Sequence, residues 1–206
     1  MTTATALSHT HRFEPATRDG RPPLLLLHGT GGNESDLLPL GLAVAPGAAL
    51  LSPRGQVLEG GMPRFFRRLA EGVFDEADLR RRTEELADFV LAARERYGLE
   101  APVALGFSNG ANIAAALLLL RPEVLRGAAL LRATAPLQDP PQTPLAGRPV
   151  LILSGATDPL VPAARSEALA AQLAGLGATV QHRTLPAGHG LSQADVTLTR
   201  NWLDAL

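Results

Sequence analysis

Five short apolar runs recur along the chain, at Leu24 to Leu27, Ala48 to Leu51, Val103 to Phe107, Ala128 to Leu131 and Val150 to Leu153. Each is bounded by glycine or proline and has no polar face, the pattern of a strand buried on both sides. A sixth strand is expected over Thr179 to Leu185, where apolar and polar residues alternate. Helical patterns fall between the runs. Asp78 to Tyr97 places Leu79, Leu86, Phe89, Val90, Ala93 and Tyr97 on one face and meets a stop at Gly98. Asn109 to Leu120 is apolar almost all round, which predicts a buried helix ended by Arg121-Pro122. Pro162 to Ala174 opens with proline and ends near Gly175 and Gly177, and Leu191 to Leu206 closes the chain. Strands alternating with helices predict an α/β fold, a mostly parallel sheet with helices on both faces. The 206 residues suggest one domain over 1–206, with a polar segment over 1–20 that could add an edge strand. In such sheets ligands bind beyond the carboxyl ends of the strands, so chemistry is sought there.

Composition removes several kinds of chemistry. The chain has no cysteine, which excludes disulfides, thiolate zinc sites and a cysteine nucleophile. All 19 basic residues are arginine, so no lysine is present for a Schiff base or a phosphate loop. A net charge of −1 lacks the basic footprint of a nucleic-acid binder. Met1 to Phe13 is polar and has no apolar centre of the secretory type. The longest apolar run, Ile113 to Leu120, is too short to cross a bilayer. A cytoplasmic protein without membrane or nucleic-acid partners is the expectation.

Gly106-Phe107-Ser108-Asn109-Gly110 follows the Val103 strand and opens the buried helix. This is the G-x-S-x-G pattern of a sharp strand-to-helix turn that projects a serine hydroxyl from the sheet. Side chains at 106 and 110 would collide with neighbouring backbone. A serine nucleophile needs a base, and the base an orienting acid. His9 and His11 lie in the polar N-terminal segment and His182 on an alternating strand, which leaves His28 and His189. His189 sits 81 residues after Ser108 in the loop Pro186-Ala187-Gly188-His189-Gly190, after the last strand. Asp158 lies just past the Val150 strand, whereas Asp139 has no strand before it and Asp195 falls on the last helix. The candidate catalytic set is therefore Ser108, Asp158 and His189. Leu27-His28-Gly29-Thr30-Gly31-Gly32 runs from a buried strand into a glycine-rich turn. Backbone N–H groups of Thr30 and Asn109 are placed to meet a developing oxyanion, with His28 and Gly29 supporting the loop.

Through these four motifs, spanning roughly Leu24 to Trp202 with Gly155-Ala156-Thr157-Asp158 and Gly188-His189-Gly190, the chain resembles the phospholipase/carboxylesterase branch of the α/β-hydrolases. That group includes small bacterial carboxylesterases and acyl-protein thioesterases. The resemblance implies the α/β-hydrolase fold without a large lid domain, Ser108, Asp158 and His189 as a triad, and Thr30 and Asn109 as oxyanion donors. Thioesterase members typically carry glutamine after the nucleophilic serine, where this chain has Asn109. The stretch Phe65 to Asp75 looks more like a bacterial subgroup of hydrolases, some of them associated with aromatic-compound metabolism.

Ser52 to Glu76 is a long connection carrying Met62, Phe65, Phe66, Leu69 and Phe74. Met62, Phe65, Phe66 and Phe74 are candidates to line an apolar acyl or aryl pocket, or else to anchor the segment to the body. Arg64, Arg67 and Arg68 could attract an anionic substrate or form a solvated cluster. The function expected is hydrolysis of small or medium acyl or aryl esters through an acyl-enzyme. Acyl thioester or lysophospholipid hydrolysis, and a ligand sensor that retains the triad, are the alternatives. Neither a metal nor an organic cofactor is implied, the partner is a small-molecule ester or thioester, and a homodimer is left open.

Overall fold

Residues 7–206 are described by a computed structural model. Residues 1–6, the start of the polar N-terminal segment, lie outside the described residues. The elements run β1 (His11–Glu14), β2 (Leu24–Leu27), α1 (Leu38–Val44), β3 (Leu50–Pro53), β4 (Val57–Glu59), β5 (Met62–Arg64), β6 (Arg68–Ala70), β7 (Val73–Phe74), α2 (Glu76–Tyr97), β8 (Val103–Phe107), α3 (Asn109–Leu120), β9 (Gly127–Leu131), β10 (Pro149–Gly155), α4 (Ala163–Gly175), β11 (Thr179–Leu185) and α5 (Gln193–Asp204). Seven strands form one sheet in the order β1-β3-β2-β8-β9-β10-β11. Every pairing in it is parallel except that of β1, which runs antiparallel along β3 and supplies the edge strand.

The all-apolar strands are explained by the two layers they divide. Successive residues of a strand point to opposite faces, so Leu25, Leu27, Leu51 and Ala104 join α2, α3 and α4 on one side. Leu24, Leu26, Leu50, Val103 and Leu105 meet Val44, Trp202 and Leu203 of α1 and α5 on the other. Helix α3 runs beneath the sheet centre, and eleven of its twelve residues are buried, as its unbroken apolar sequence predicts. No helix among the described residues is long and apolar enough to cross a membrane.

The structure departs from the expectation in two places. Residues 38–44 form a short helix whose Pro39 sits in the first turn and whose Gly41 packs on Leu26 and Leu50. The long connection after β3 is folded, as the antiparallel pairs β4–β5 and β6–β7. These ribbons lie over the carboxyl end of the sheet, where the candidate residues gather.

Candidate active site

Strand β8 delivers Ser108 into a turn that only its neighbours make feasible. Ser108 has φ 53° and ψ −116°, a conformation that strains an L-residue by about 1–3 kcal/mol. The turn is held because Ser108 N donates to Leu131 O (2.9 Å) and Asn112 N donates to Ser108 O (3.0 Å), starting α3. A Cβ on Gly106 would lie 2.6 Å from Gly110 O, and one on Gly110 only 2.0 Å from Leu27 O. Both positions therefore exclude side chains, and α3 can press its first turn against β2.

The other two candidates reach Ser108 from adjacent strand ends. His189 Nε2 lies 3.0 Å from Ser108 Oγ, and His189 Nδ1 lies 2.8 Å from Asp158 Oδ2. Asp158 is buried. Burial pulls its pKa up, but hydrogen bonds from Val161 N, from His189 and from Leu160 N outweigh that and hold the carboxyl below its ordinary range. An ionised carboxylate accepts only, so Nδ1 carries the proton and Nε2 is left as an acceptor for the serine O–H.

Two partners that sequence reasoning passed over fix the histidine loop. Arg132, fully buried at the end of β9 with φ 58°, uses every N–H it has. Nη1 and Nη2 donate to Asp195 Oδ1 (2.8 Å) and Oδ2 (2.9 Å), Nε to Gly188 O (3.0 Å), Nη2 also to Gly190 O (3.1 Å) and Nη1 to Leu153 O (3.2 Å). The guanidinium thus holds the carbonyls on both sides of His189. Asp195 in turn accepts from Ser192 N and Oγ at the start of α5. The available signals were an arginine directly after an all-apolar strand and a Ser-x-x-Asp capping box.

The glycine-rich turn after β2 lies opposite. Ser108, Thr30, Asn109 and His189 border one cavity of about 330 Å³. Neither Thr30 N–H nor Asn109 N–H is engaged among the described residues. Gly31 N donates to Pro63 O (2.9 Å) and Arg64 Nη1 to Thr30 Oγ1 (2.6 Å), tying the turn to β5. His28 accepts at Nε2 from Gly55 N (3.0 Å) and contacts Gly29 O through Nδ1 (2.7 Å), so Nδ1–H donates. Burial holds its pKa below 6.5, in keeping with that neutral tautomer. Asn109 Oδ1 accepts from Phe65 N (2.8 Å), which braces the ribbon against the elbow.

The apolar pocket expected from the long connection needs correction. Phe65 and Phe66 are buried in the core, packed on His28 and Phe74 respectively, and do not line the cavity. Their rings point inward because the ribbons bury one face against α2 and the sheet. Met62 is 45% exposed beside Gly31, and Leu69 faces solvent at 72%. Phe74 alone of the four lines the cavity, with Phe107, Leu160 and Val161 completing its apolar wall. Arg67 pairs with Asp75 in solvent, whereas Arg64 and Arg68 share Glu59 and border the cavity. His182, expected on a solvated face, is half-buried and contacts Ser154 Oγ (2.9 Å), and His9 is buried against Phe89.

A parallel sheet, a strained serine turn at its carboxyl edge and a histidine loop after the last strand define an α/β hydrolase, and the chain belongs to the α/β-hydrolase carboxylesterase family. The family model described as the alpha/beta hydrolase fold matches residues 67–146. MhqD of Bacillus subtilis (strain 168), which bears a hydrolase name, is 47% identical over 194 residues, 93% of this chain and 96% of that protein. The crystal structure of the Bacillus cereus carboxylesterase superposes with a TM-score of 0.94 at 46% identity, over 96% of this chain and 94% of that one. A carboxylesterase from Mesorhizobium loti does so at 0.93 and 36%, over 98% and 97%. The chain is an enzyme of the esterase type.

Proposed function

We propose that Ser108, His189 and Asp158 act as a catalytic triad that hydrolyses carboxylic esters of small or medium size through an acyl-enzyme. The observation that carries this is the continuous relay from Ser108 Oγ through His189 to Asp158, at 3.0 and 2.8 Å. His189 takes the serine proton as Oγ attacks the carbonyl carbon, and the ionised Asp158 stabilises the imidazolium that forms. The carbonyl oxygen, now negative, rests on the N–H groups of Thr30 and Asn109, which have no competing acceptor among the described residues. His189 then protonates the leaving alkoxide, and the alcohol departs. Water, deprotonated by the same imidazole, attacks the acyl carbon and returns Ser108 with release of the acid. The cavity of about 330 Å³ suits a short acyl or aryl group better than a long lipid chain.

The test is steady-state hydrolysis of p-nitrophenyl butyrate. Ser108→Ala should lower kcat by about 10³-fold or more, and multiple turnovers by the parent chain separate an enzyme from a ligand sensor. A parent chain that reacts only once, or a Ser108→Ala variant of near-parent rate, overturns the proposal.

A further inference from the structure

The cavity beside Ser108 is also bordered by groups that attack on an ester carbonyl does not use. They are Arg68, Asn112, Thr134 and Arg165. Three guanidiniums, of Arg64, Arg68 and Arg165, border the cavity against a single carboxylate, Glu71. Glu59 stands behind Arg64 and Arg68 and partners both. Arg165 lies in the first turn of α4 and has no carboxylate within salt-bridge distance among the described residues, Glu71 included. Its Nη1 occupies the space left by Gly72, 2.7 Å from where a Cβ would stand.

The neutral groups are biased the same way. Asn112 is 5% exposed and lines the cavity, and its Oδ1 is consumed by Thr134 N (2.9 Å). Its amide NH2 makes no hydrogen bond among the described residues. A cavity lined by the spare amide NH2 of Asn112 and an uncommitted guanidinium is short of acceptors. A ligand that supplies an ionised carboxylate meets that shortage, and Arg165 can engage it with two parallel N–H···O bonds.

Resting on the triad assignment above, we infer that the substrate is an ester bearing a second, ionised carboxylate, held by Arg165 while its ester carbonyl lies at Ser108. Hydrolysis of such a half-ester consumes one water and releases either a dicarboxylate and an alcohol or a monocarboxylate and a hydroxy acid. Phe74, Phe107, Leu160 and Val161, which also line the cavity, then pack the substrate's hydrocarbon.

Two matched pairs test this with the full chain. p-Nitrophenyl hemisuccinate against p-nitrophenyl butyrate places the charge on the acyl side, and 4-acetoxybenzoate against p-tolyl acetate places it on the alcohol side. In one pair the charged member should show kcat/KM at least about tenfold higher, mainly through KM, as a charge-assisted contact allows. The ratio should fall towards one in about 1 M salt and in Arg165→Gln. Equal or lower values for the charged member of both pairs, or a ratio unmoved by Arg165→Gln, overturn the subsite and leave the esterase assignment standing. Failure to hydrolyse any of the four esters overturns both.

Discussion

Replacing Arg132 by methionine removes a fully buried guanidinium and leaves Asp195, also fully buried, with its charge. Asp195 Oδ2 keeps two donors from Ser192, but Oδ1 loses its partner. The carbonyls of Leu153, Gly188 and Gly190 each lose a donor as well. Breaking one side of a buried ion pair costs about 3–5 kcal/mol. At about 2–4 °C per kcal/mol for a chain of this size, Tm should fall by about 6–20 °C. Thermal and urea unfolding measure this by circular dichroism. Arg132→Met with Asp195→Leu removes both charges, and most of the lost stability should return. Activity should not return with it, because Gly188 and Gly190 still lack the group that brackets His189. Kcat on p-nitrophenyl butyrate should stay about tenfold or more below the parent, with KM little changed, since small displacements of a catalytic group are costly. An Arg132→Met chain within about 1 kcal/mol of the parent, or a double variant of parental kcat, would refute this account of the histidine loop.

Two further outcomes follow from the titrating groups. Burial, with smaller contributions from Arg82 and His11 and opposed by Glu85, pushes His9 down from 6.5 to about 4. Its neutral form is the one the fold accommodates, so the associated stability is complete above 6.5 and is lost as the pH falls towards 4. Urea unfolding between pH 7.5 and 4 should show the parent losing about 3 kcal/mol more than His9→Gln, and parallel profiles would refute it. Asp158→Asn keeps the shape but removes the charge that orients His189 Nδ1, so kcat should fall by about 10³–10⁴-fold with folding retained. A loss below tenfold would mean that Asp158 is not the orienting acid.

The parallel sheet was legible because buried strands have no polar face to hide, and the order of Ser108, Asp158 and His189 followed from where those strands end. Gly106 and Gly110 were legible for a steric reason that the contacts with Gly110 O and Leu27 O bear out. For Phe65 and Phe66 the sequence left pocket and anchor both open, because hydrophobicity marks burial without saying whether a ring faces a cavity or the core, and the structure makes them anchors. The ribbons at 57–64 and 68–74 determine that, through pairings of two or three residues too short to leave a period. Arg132 and Asp195 stand 63 residues apart, so nothing local in the sequence pairs them. The place of Arg165 at the cavity lay hidden for a similar reason, since it depends on the space left by Gly72 on another element. His182 was read as solvated from the alternation along its strand, whereas Ser154 reaches it across the fold, and nothing in the polar segment around His9 foretold its burial against Phe89.

The relay through His189 predicts that Ser108 is an activated nucleophile, and a fluorophosphonate probe reads that directly. Treatment of the full chain followed by peptide mass spectrometry should place a single adduct on Ser108, formed within minutes at neutral pH and slowed by about 10³-fold in His189→Ala. An unlabelled Ser108, or labelling at the same rate without His189, would contradict the claim that this serine, drawn out of the sheet between Gly106 and Gly110, is the group that attacks the ester.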